Sequence, residues 1–236
     1  MFIVAGPEFG ALEGHVLLIR KALYGLRTSG LRWHERFADT LRDMRFVPCK
    51  ADPDVWMRKA KGHYEYIAVY VDDLAIVAKE PKEITDTLAN KYKYKLKGVG
   101  PISYHLGGDF VRDPDGTLRY GPRKYVEKIV SSYEKMFGSK PTEYTSPLEK
   151  GDHPEIENSP ELEEDGIKKY QSMIGALQWT VPLGRFDILS AVMTMSRFRS
   201  APRIGHLDRI KYIYGYLKKF KHGAIQFLTG APDYKE

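Results

Sequence analysis

Apolar residues recur at helical spacing in the first two thirds of the chain. Over residues 31–46 they are separated by steps of four, four and three, with charged residues between them. This pattern predicts a helix that ends before Pro48. The same spacing predicts two more helices, over residues 83–96 and 123–136. The apolar stripe of the first helix consists of Trp33, Phe37, Leu41 and Met44.

Two stretches between these helices favour strands instead. Residues 64–78 form a long apolar run, rich in β-branched side chains and interrupted only near its middle, which predicts two strands. Residues 103–120 predict a hairpin, because Asp113-Pro114-Asp115-Gly116 is a strong turn signal between β-favouring arms. Residues 1–14 read as an irregular lead-in, and residues 15–20 and 224–228 favour short strands.

The last third of the chain begins with a different composition. Residues 146–165 are polar, acidic and interrupted by proline, which predicts a mobile linker. From residue 167 onward the apolar spacing is mainly helical. Strands flanked by helices, followed by helices alone, indicate an α+β domain and then a helical one.

Charge is unevenly distributed over the 236 residues. The net charge is +6, but residues 197–221 contain eight Lys or Arg and one acid (8 − 1 = +7), and residues 149–165 contain eight acids and one Lys (1 − 8 = −7). The basic stretch suits a polyanionic partner; the alternative for both stretches is a solvated face. With Cys49 as the one cysteine, a reducing compartment is expected, and no apolar run approaches the ~20 residues of a membrane span.

The strongest chemical signal is Tyr70-Val71-Asp72-Asp73 between two apolar strand-like runs. Such a hairpin tip favours Gly or Asn, so Val71 there implies local strain. Adjacent carboxylates repel each other unless a cation compensates them, and oxygen ligands suit magnesium. The alternative is that both acids are turn residues facing water. None of the seven histidines has metal-ligand spacing, and no phosphate-binding Gly-rich loop is present.

Further stretches resemble copia-type reverse transcriptases in the same order. Residues 21–33, KALYGLRTSGLRW, resemble the family signature KALYGLKQAPRAW, and the YVDD box follows about 40 residues later. Residues 106–108 resemble the family's FLG element. Residues 170–177, 185–188 and 202–217 resemble its later helical segments, and His206 stands at the position of the family's histidine. The resemblance covers roughly residues 7–228.

The resemblance implies an RNA-directed DNA polymerase with a right-hand palm. On this basis residues 1–118 would hold partial fingers and the palm, 119–145 the start of the thumb, 146–165 the acidic linker, and 166–236 a helical thumb or connection region. The implied partners are an RNA or DNA primer–template duplex and deoxynucleotides, without a membrane. The implied location is a cytoplasmic element particle or the nucleus.

The resemblance also implies roles for individual residues. Asp72 and Asp73 would be catalytic and would hold two magnesium ions. Lys97 would contact the departing pyrophosphate, although a solvated lysine at a helix end is the alternative. The residues expected near primer or nucleotide are Tyr70, Val71, Arg27, Thr28, Ser29, Leu106, Gly107 and Gly108. Those expected on the nucleic-acid backbone are Arg203, Arg209, Lys211, Lys218 and Lys219.

Two departures limit this expectation. Thr28 and Gly30 stand where the family has Gln and Pro, which puts nucleotide selection in doubt. The family's first catalytic aspartate is expected in a DVxxAFLNG-like stretch, and none precedes residue 7. We therefore expect a polymerase fragment that lacks an upstream palm segment and a downstream ribonuclease H segment and is inactive alone. The rival is a non-catalytic nucleic-acid-binding module from a decayed element; an unrelated helical interaction protein is a third possibility.

Overall fold

A computed structural model describes residues 2–20, 25–228 and 230. The chain divides into two compact units, residues 1–100 and residues 101–236. Both combine helices with antiparallel sheets, in agreement with the predicted mixture of α and β structure. Within the described part of the chain, no helix is long and apolar enough to cross a bilayer.

Among its described residues, the first unit contains a two-stranded and a four-stranded antiparallel sheet together with two α-helices. The four-stranded sheet has the strand order β3-β4-β5-β6, so β6 lies at its edge. The elements in chain order are β1 (Phe2–Val4), β2 (Val16–Leu18), α1 (Ser29–Asp43), β3 (Val47–Pro48), β4 (Val55–Ala60), β5 (His63–Tyr70), β6 (Asp73–Val77) and α2 (Pro81–Asn90).

The core of this unit forms where α1 and α2 supply apolar side chains that pack with those of β4 and β5. Leu41 of α1, Ile67 of β5 and Leu88 of α2 are all fully buried. Burial alternates along β5: Glu65, Ile67 and Val69 are buried, and the residues between them are more exposed. Since side chains of a strand alternate between faces, one face of β5 belongs to the core and the other is open.

In the part that the structure describes, the second unit has a four-stranded antiparallel sheet of order β10-β9-β8-β7 and four α-helices. Its main core is helical: Ile129, Ile174, Val192 and Ile210 come from four different helices and are all buried. The elements are β7 (Tyr104–His105), β8 (Gly108–Arg112), β9 (Leu118–Gly121), α3 (Arg123–Phe137), α4 (Glu164–Thr180), α5 (Leu189–Ser196), α6 (Ile204–Lys219) and β10 (Ile225–Phe227).

Several predicted elements are confirmed, two are corrected, and one strand was not predicted. The helices α1 and α3, the strands β5 and β6, and the hairpin β8–β9 stand where the sequence predicts them. The lead-in is not wholly irregular, because β1 pairs with β2. The strand β4 was not predicted, since Arg58 and Lys59 interrupt its apolar pattern. The helix predicted over 83–96 ends early, at Asn90.

Candidate functional site

The candidate site is the tip of the β5–β6 hairpin. Tyr70 pairs with Asp73 in the antiparallel register, which leaves Val71 and Asp72 as the two-residue turn. Cross-strand partners share a sheet face, so Asp73 lies on the same face as Tyr70. Tyr70 is 56% exposed and Val71 72% exposed, and both carboxylates are exposed as well. The hairpin therefore presents the acid pair to solvent at the end of the open face of the sheet.

The backbone of this tip is strained as the sequence predicts. Val71 has a φ angle of +56°, in the left-handed region that β-branched residues rarely adopt. Hairpin turns of this length normally place Gly, Asn or Asp at such a position. Holding valine there costs about 1–3 kcal/mol, and such strain concentrates at functional sites.

The acid pair has the donor chemistry of a hard-cation site. Among the residues that the structure describes, neither Asp72 nor Asp73 forms an ion pair, and no group of three or more His, Cys, Asp or Glu side chains is placed to hold a metal. Carboxylate oxygens without thiol or imidazole ligands suit magnesium rather than a transition metal. The two carboxylates are therefore of the ligand type that magnesium prefers.

The open face of β5 continues away from the tip as a row of tyrosines. Tyr64 and Tyr66 are exposed, alternate with buried residues, and stand on the same face as Tyr70. The rings of Tyr64 and Tyr66 lie 6.4 Å apart between centroids. Sequence reasoning missed this row, although the period-two alternation His-Tyr-Glu-Tyr was the signal that could have revealed it.

The residues expected near the nucleotide lie at the beginning of α1. Arg27 and Thr28 are exposed, and Thr28 is the residue that precedes the helix, with its carbonyl oxygen accepting the Arg32 N–H at 3.1 Å. Ser29 is the first residue of α1. Residues 21–24, which open the family-like signature, lie outside the described residues.

The residues expected to form the primer grip make the turn between β7 and β8 in the second unit. Leu106 and Gly107 have φ angles of +48° and +91°, which produce a tight two-residue turn. Gly107 lies beside Leu183 and Trp179. A Cβ atom at Gly108 would clash with the ring of Tyr120. Backbone geometry and space thus account for both glycines, and the turn leaves Leu106 exposed.

The basic residues of α6 are largely paired with acids. Arg209 Nε donates to Asp152 Oδ2 at 2.7 Å, and the same guanidinium pairs with Glu157. Arg203 contacts Glu161, Lys211 contacts Asp208 at 2.8 Å, and Lys218 contacts Glu143 at 3.4 Å. For Lys219, no ion pair occurs within the described ranges of the chain.

Most of these acids come from the segment expected to be a linker. Residues 149–165 lie along the beginning of α6, where the Leu162 N–H donates to the carbonyl oxygen of Pro202 at 2.9 Å. His206 Nε2 lies 3.0 Å from the carbonyl oxygen of Pro154, a buried contact. The hydrogen bond from Arg209 lowers the pKa of Glu157 to about 2. The segment is therefore bound to α6 through both main-chain and charged contacts.

In the family-like segment 185–188, a buried arginine binds an aspartate two residues later in the chain. Arg185 is 1% exposed and donates two hydrogen bonds to Asp187, from Nε at 2.9 Å and from Nη2 at 2.7 Å. Burial, the largest single influence, acts to raise the pKa of Asp187, but the hydrogen bonds and charge of Arg185, together with a hydrogen bond from Tyr216, lower the pKa overall. The guanidinium also lies over the ring of Tyr216. This arginine therefore ties the segment that precedes α5 to α6.

Comparison with known proteins decides the family. The model of the family described as reverse transcriptase (RNA-dependent DNA polymerase) matches residues 1–148, more than half of the chain. The chain belongs to this reverse transcriptase family. The match includes the YVDD hairpin, α1, α2 and α3, and it ends inside residues 146–165, the predicted acidic linker.

The relatives of this reverse transcriptase chain are retrotransposon proteins. It is 29% identical over 220 residues to the putative transposon Ty5-1 protein of Saccharomyces cerevisiae, covering 89% of this chain and 67% of the yeast protein. It is 27% identical to the retrovirus-related Pol polyprotein from transposon TNT 1-94 of Nicotiana tabacum (90% of this chain, 16% of that protein). For transposon RE1 of Arabidopsis thaliana the identity is 28% (86% and 13%).

The chain therefore spans about two thirds of the yeast protein but less than a fifth of these plant polyproteins. No solved structure matches the chain.

Proposed function

We propose that this chain is the polymerase-bearing part of a copia-type Pol protein, with the β5–β6 hairpin as the catalytic hairpin of its palm. The observation that carries the proposal is the pair Asp72 and Asp73 at a strained, exposed tip, next to an open sheet face. The reaction is nucleotidyl transfer, in which the 3′ hydroxyl of a primer attacks the α-phosphate of a deoxynucleotide.

In this proposal Asp72 and Asp73 hold magnesium. When bound, the metal would activate the attacking hydroxyl and stabilise the charge on the departing phosphate. The chain's own residues position the substrates: Tyr70 and Val71 border the primer end, and Arg27, Thr28 and Ser29 border the incoming nucleotide. Leu106, Gly107 and Gly108 grip the primer. The palm is followed by a thumb made of the helices of the second unit.

We further propose that residues 1–236 alone hold two ions poorly. The two carboxylates at the tip have no third acid beside them among the described residues, and two closely spaced ions need more oxygen ligands than one adjacent pair provides. Because β6 is the edge of its sheet, it can accept a further strand that carries the additional carboxylate.

The test combines primer extension with metal binding. For the 236-residue chain, we expect little or no extension of a labelled primer on an RNA template in magnesium. Titration with Mn²⁺, followed by electron paramagnetic resonance, should show weak binding that Asp72→Asn and Asp73→Asn each reduce several-fold. The control Asp86→Asn alters an acid of α2 and should leave Mn²⁺ binding unchanged.

The outcomes separate the two parts of the proposal. Efficient extension that Asp72→Asn abolishes would support nucleotidyl transfer at this hairpin. It would also show that residues 1–236 supply all the metal ligands that the reaction needs. Manganese binding that neither hairpin variant alters would contradict the assignment of the metal to this tip. That result, together with retained duplex binding, would favour the second candidate, a non-catalytic nucleic-acid-binding module from a decayed element. The observation in favour of this candidate is the lack of a third acid beside Asp72 and Asp73 among the described residues.

A further inference from the structure

The segment that follows α2 alternates strictly between lysine and apolar residues. Lys91, Lys93, Lys95 and Lys97 are all exposed, and we refer to these four residues as the lysine row. The residues between them, Tyr92, Tyr94 and Leu96, are half-buried and pack against the core of the first unit. The period-two pattern thus separates four ammonium groups on the outside from three anchoring side chains on the inside.

The anchors hold the segment in a defined position. The Tyr94 hydroxyl lies 2.9 Å from Thr40 Oγ1 of α1, and its ring meets Phe37 edge-on at 5.4 Å between centroids. The Tyr92 hydroxyl donates to Asp43. At the end of α2 the backbone turns at Lys93, whose φ is +61°, and the Tyr94 N–H donates to the Leu88 carbonyl oxygen at 3.0 Å. The lysine row is therefore attached to the core at successive positions.

Three of the four ammonium groups are free of acidic partners. Lys91 pairs with Asp43 at 3.1 Å, whereas Lys93, Lys95 and Lys97 form no ion pair with any residue that the structure describes. This differs from α6, where Arg203, Arg209 and other basic residues are already paired. An unpaired ammonium that binds a phosphate releases counterions from the nucleic acid. An ammonium that is already paired must first break its ion pair, which weakens its net contribution to binding.

The charge of each unit agrees with this contrast. Residues 1–100 contain 17 Lys or Arg and 13 Asp or Glu, a net charge of +4. Residues 101–236 contain 20 and 18, a net charge of +2, because their basic and acidic stretches cancel. The four positive charges of the lysine row equal the net charge of residues 1–100.

We infer that the lysine row binds the phosphate backbone of a nucleic acid. Three free cations within five residues exceed what a single phosphate group requires and suit a chain of phosphates. The aromatic side chains of the segment face inward, so the row can position a backbone but cannot stack on bases, and binding through it is independent of sequence. Membrane-surface segments insert apolar side chains beside their lysines, and here those side chains are packed in the core. The inference is independent of metal binding at the hairpin.

The test measures how salt weakens binding of a labelled RNA–DNA duplex to the whole 236-residue chain, by fluorescence anisotropy without magnesium or nucleotide. The triple variant K93Q/K95Q/K97Q removes three phosphate contacts, so the slope of log K against log salt should become less steep by about 2–3. Between 50 and 200 mM salt, the wild-type chain should then lose about 40-fold more affinity than the variant.

The matched control is K168Q/K169Q/K221Q. It makes the same change in net charge at three lysines that are each paired with an acid, Glu164, Asp165 and Glu127. Its slope should stay close to that of the wild type, and thermal melts should show all three proteins folded. Equal slopes for the two triple variants would overturn the inference. So would unchanged duplex binding with a loss confined to anionic phosphatidylserine vesicles.

Discussion

At the scale of single residues, the candidate site depends on one unfavourable backbone conformation. Val71 adopts a positive φ although its β-branched side chain resists that region. The side chain is 72% exposed, so burial does not compensate the strain. Backbone strain of this kind is concentrated at functional sites. The strain at Val71 therefore supports the proposal that this residue borders the primer end.

Replacing Val71 with glycine tests this strain. Val71→Gly should raise the free energy of unfolding by about 1 kcal/mol, because the relief of strain exceeds the entropy that glycine loses on folding. Urea unfolding followed by circular dichroism measures the change. In the matched control, Val77→Gly, an exposed valine of β6 without a positive φ is replaced, and stability should fall by about 1 kcal/mol. Equal destabilisation by both variants would contradict the prediction.

The sequence predicted the local geometry of the hairpin tip well at the residue scale. The pair of acids, the tight turn and the strain at Val71 all follow from local chemistry, because a hairpin is built from neighbours in the chain. What the sequence could not predict is which side chains share the open face with Tyr70. That depends on the burial of Ile67 and Val69 beneath α1 and α2, which is a tertiary property.

At the scale of elements, the acidic segment and α6 form one charged assembly. Arg209 is held by two acids, Asp152 and Glu157, and all three side chains are about four-fifths buried. Main-chain hydrogen bonds between residues 160–162 and 202–204 attach the segment at a second place. A duplex that engaged Arg209 would have to compete with both carboxylates.

Removing the arginine should therefore affect stability more than binding. Arg209→Met leaves two carboxylates without their partner and should lower the free energy of unfolding by about 2 kcal/mol. Lys211→Met, which breaks the more exposed pair with Asp208, should cost less than about 1 kcal/mol. Urea unfolding compares the two variants. If Arg209→Met left stability unchanged but weakened duplex binding severalfold, Arg209 would instead belong to the nucleic-acid interface.

Elements were predictable where their signals are local. α1 and α3 carry complete apolar stripes, and α3 is followed by Gly138 in the left-handed conformation that favours glycine. The end of α2 was missed because Tyr92 extends its apolar spacing, whereas the backbone turns at Lys93. β4 was missed because Arg58 gains its partner, Glu65, only across the sheet.

At the scale of the whole molecule, carboxylates stabilised by hydrogen bonds make the fold sensitive to acid. Several acids in both units have a pKa below the ordinary value, and Glu157 reaches about 2 through its hydrogen bond from Arg209. A lowered pKa means that the folded state favours the ionised form. Acids of this kind are Asp43, Asp115, Glu127, Glu155, Glu157 and Asp187.

The direction of the pH dependence follows. Their contribution is complete above the unfolded pKa of about 4 and is lost as the pH falls toward the folded value, about 2 for Glu157. The urea midpoint should thus be similar at pH 7 and pH 5 and lower at pH 3. Glu157→Gln should reduce this decline, whereas the control Glu149→Gln, an acid without an ion pair among the described residues, should not. A decline that is identical in both variants would contradict the assignment to Glu157.

The whole site was less predictable than its tip. Family resemblance placed Arg27 to Ser29, Lys97 and Leu106 to Gly108 in one functional set, while the structure assigns them to three different local settings. The expected basic face of α6 could not be judged from sequence, because its neutralising acids lie about 50 residues away in the chain. Charge counted along a sequence does not reveal which charges remain available to a partner.

The pairing of β10 with β9 has a consequence for biosynthesis. Ile225 lies opposite Tyr120, so the sheet of the second unit joins strands more than 100 residues apart. A ribosome must translate almost the entire second unit before β9 gains this neighbour. Until then β9 is an unpaired edge strand of the nascent sheet. A chaperone that covers this edge during translation would protect the nascent chain from aggregation.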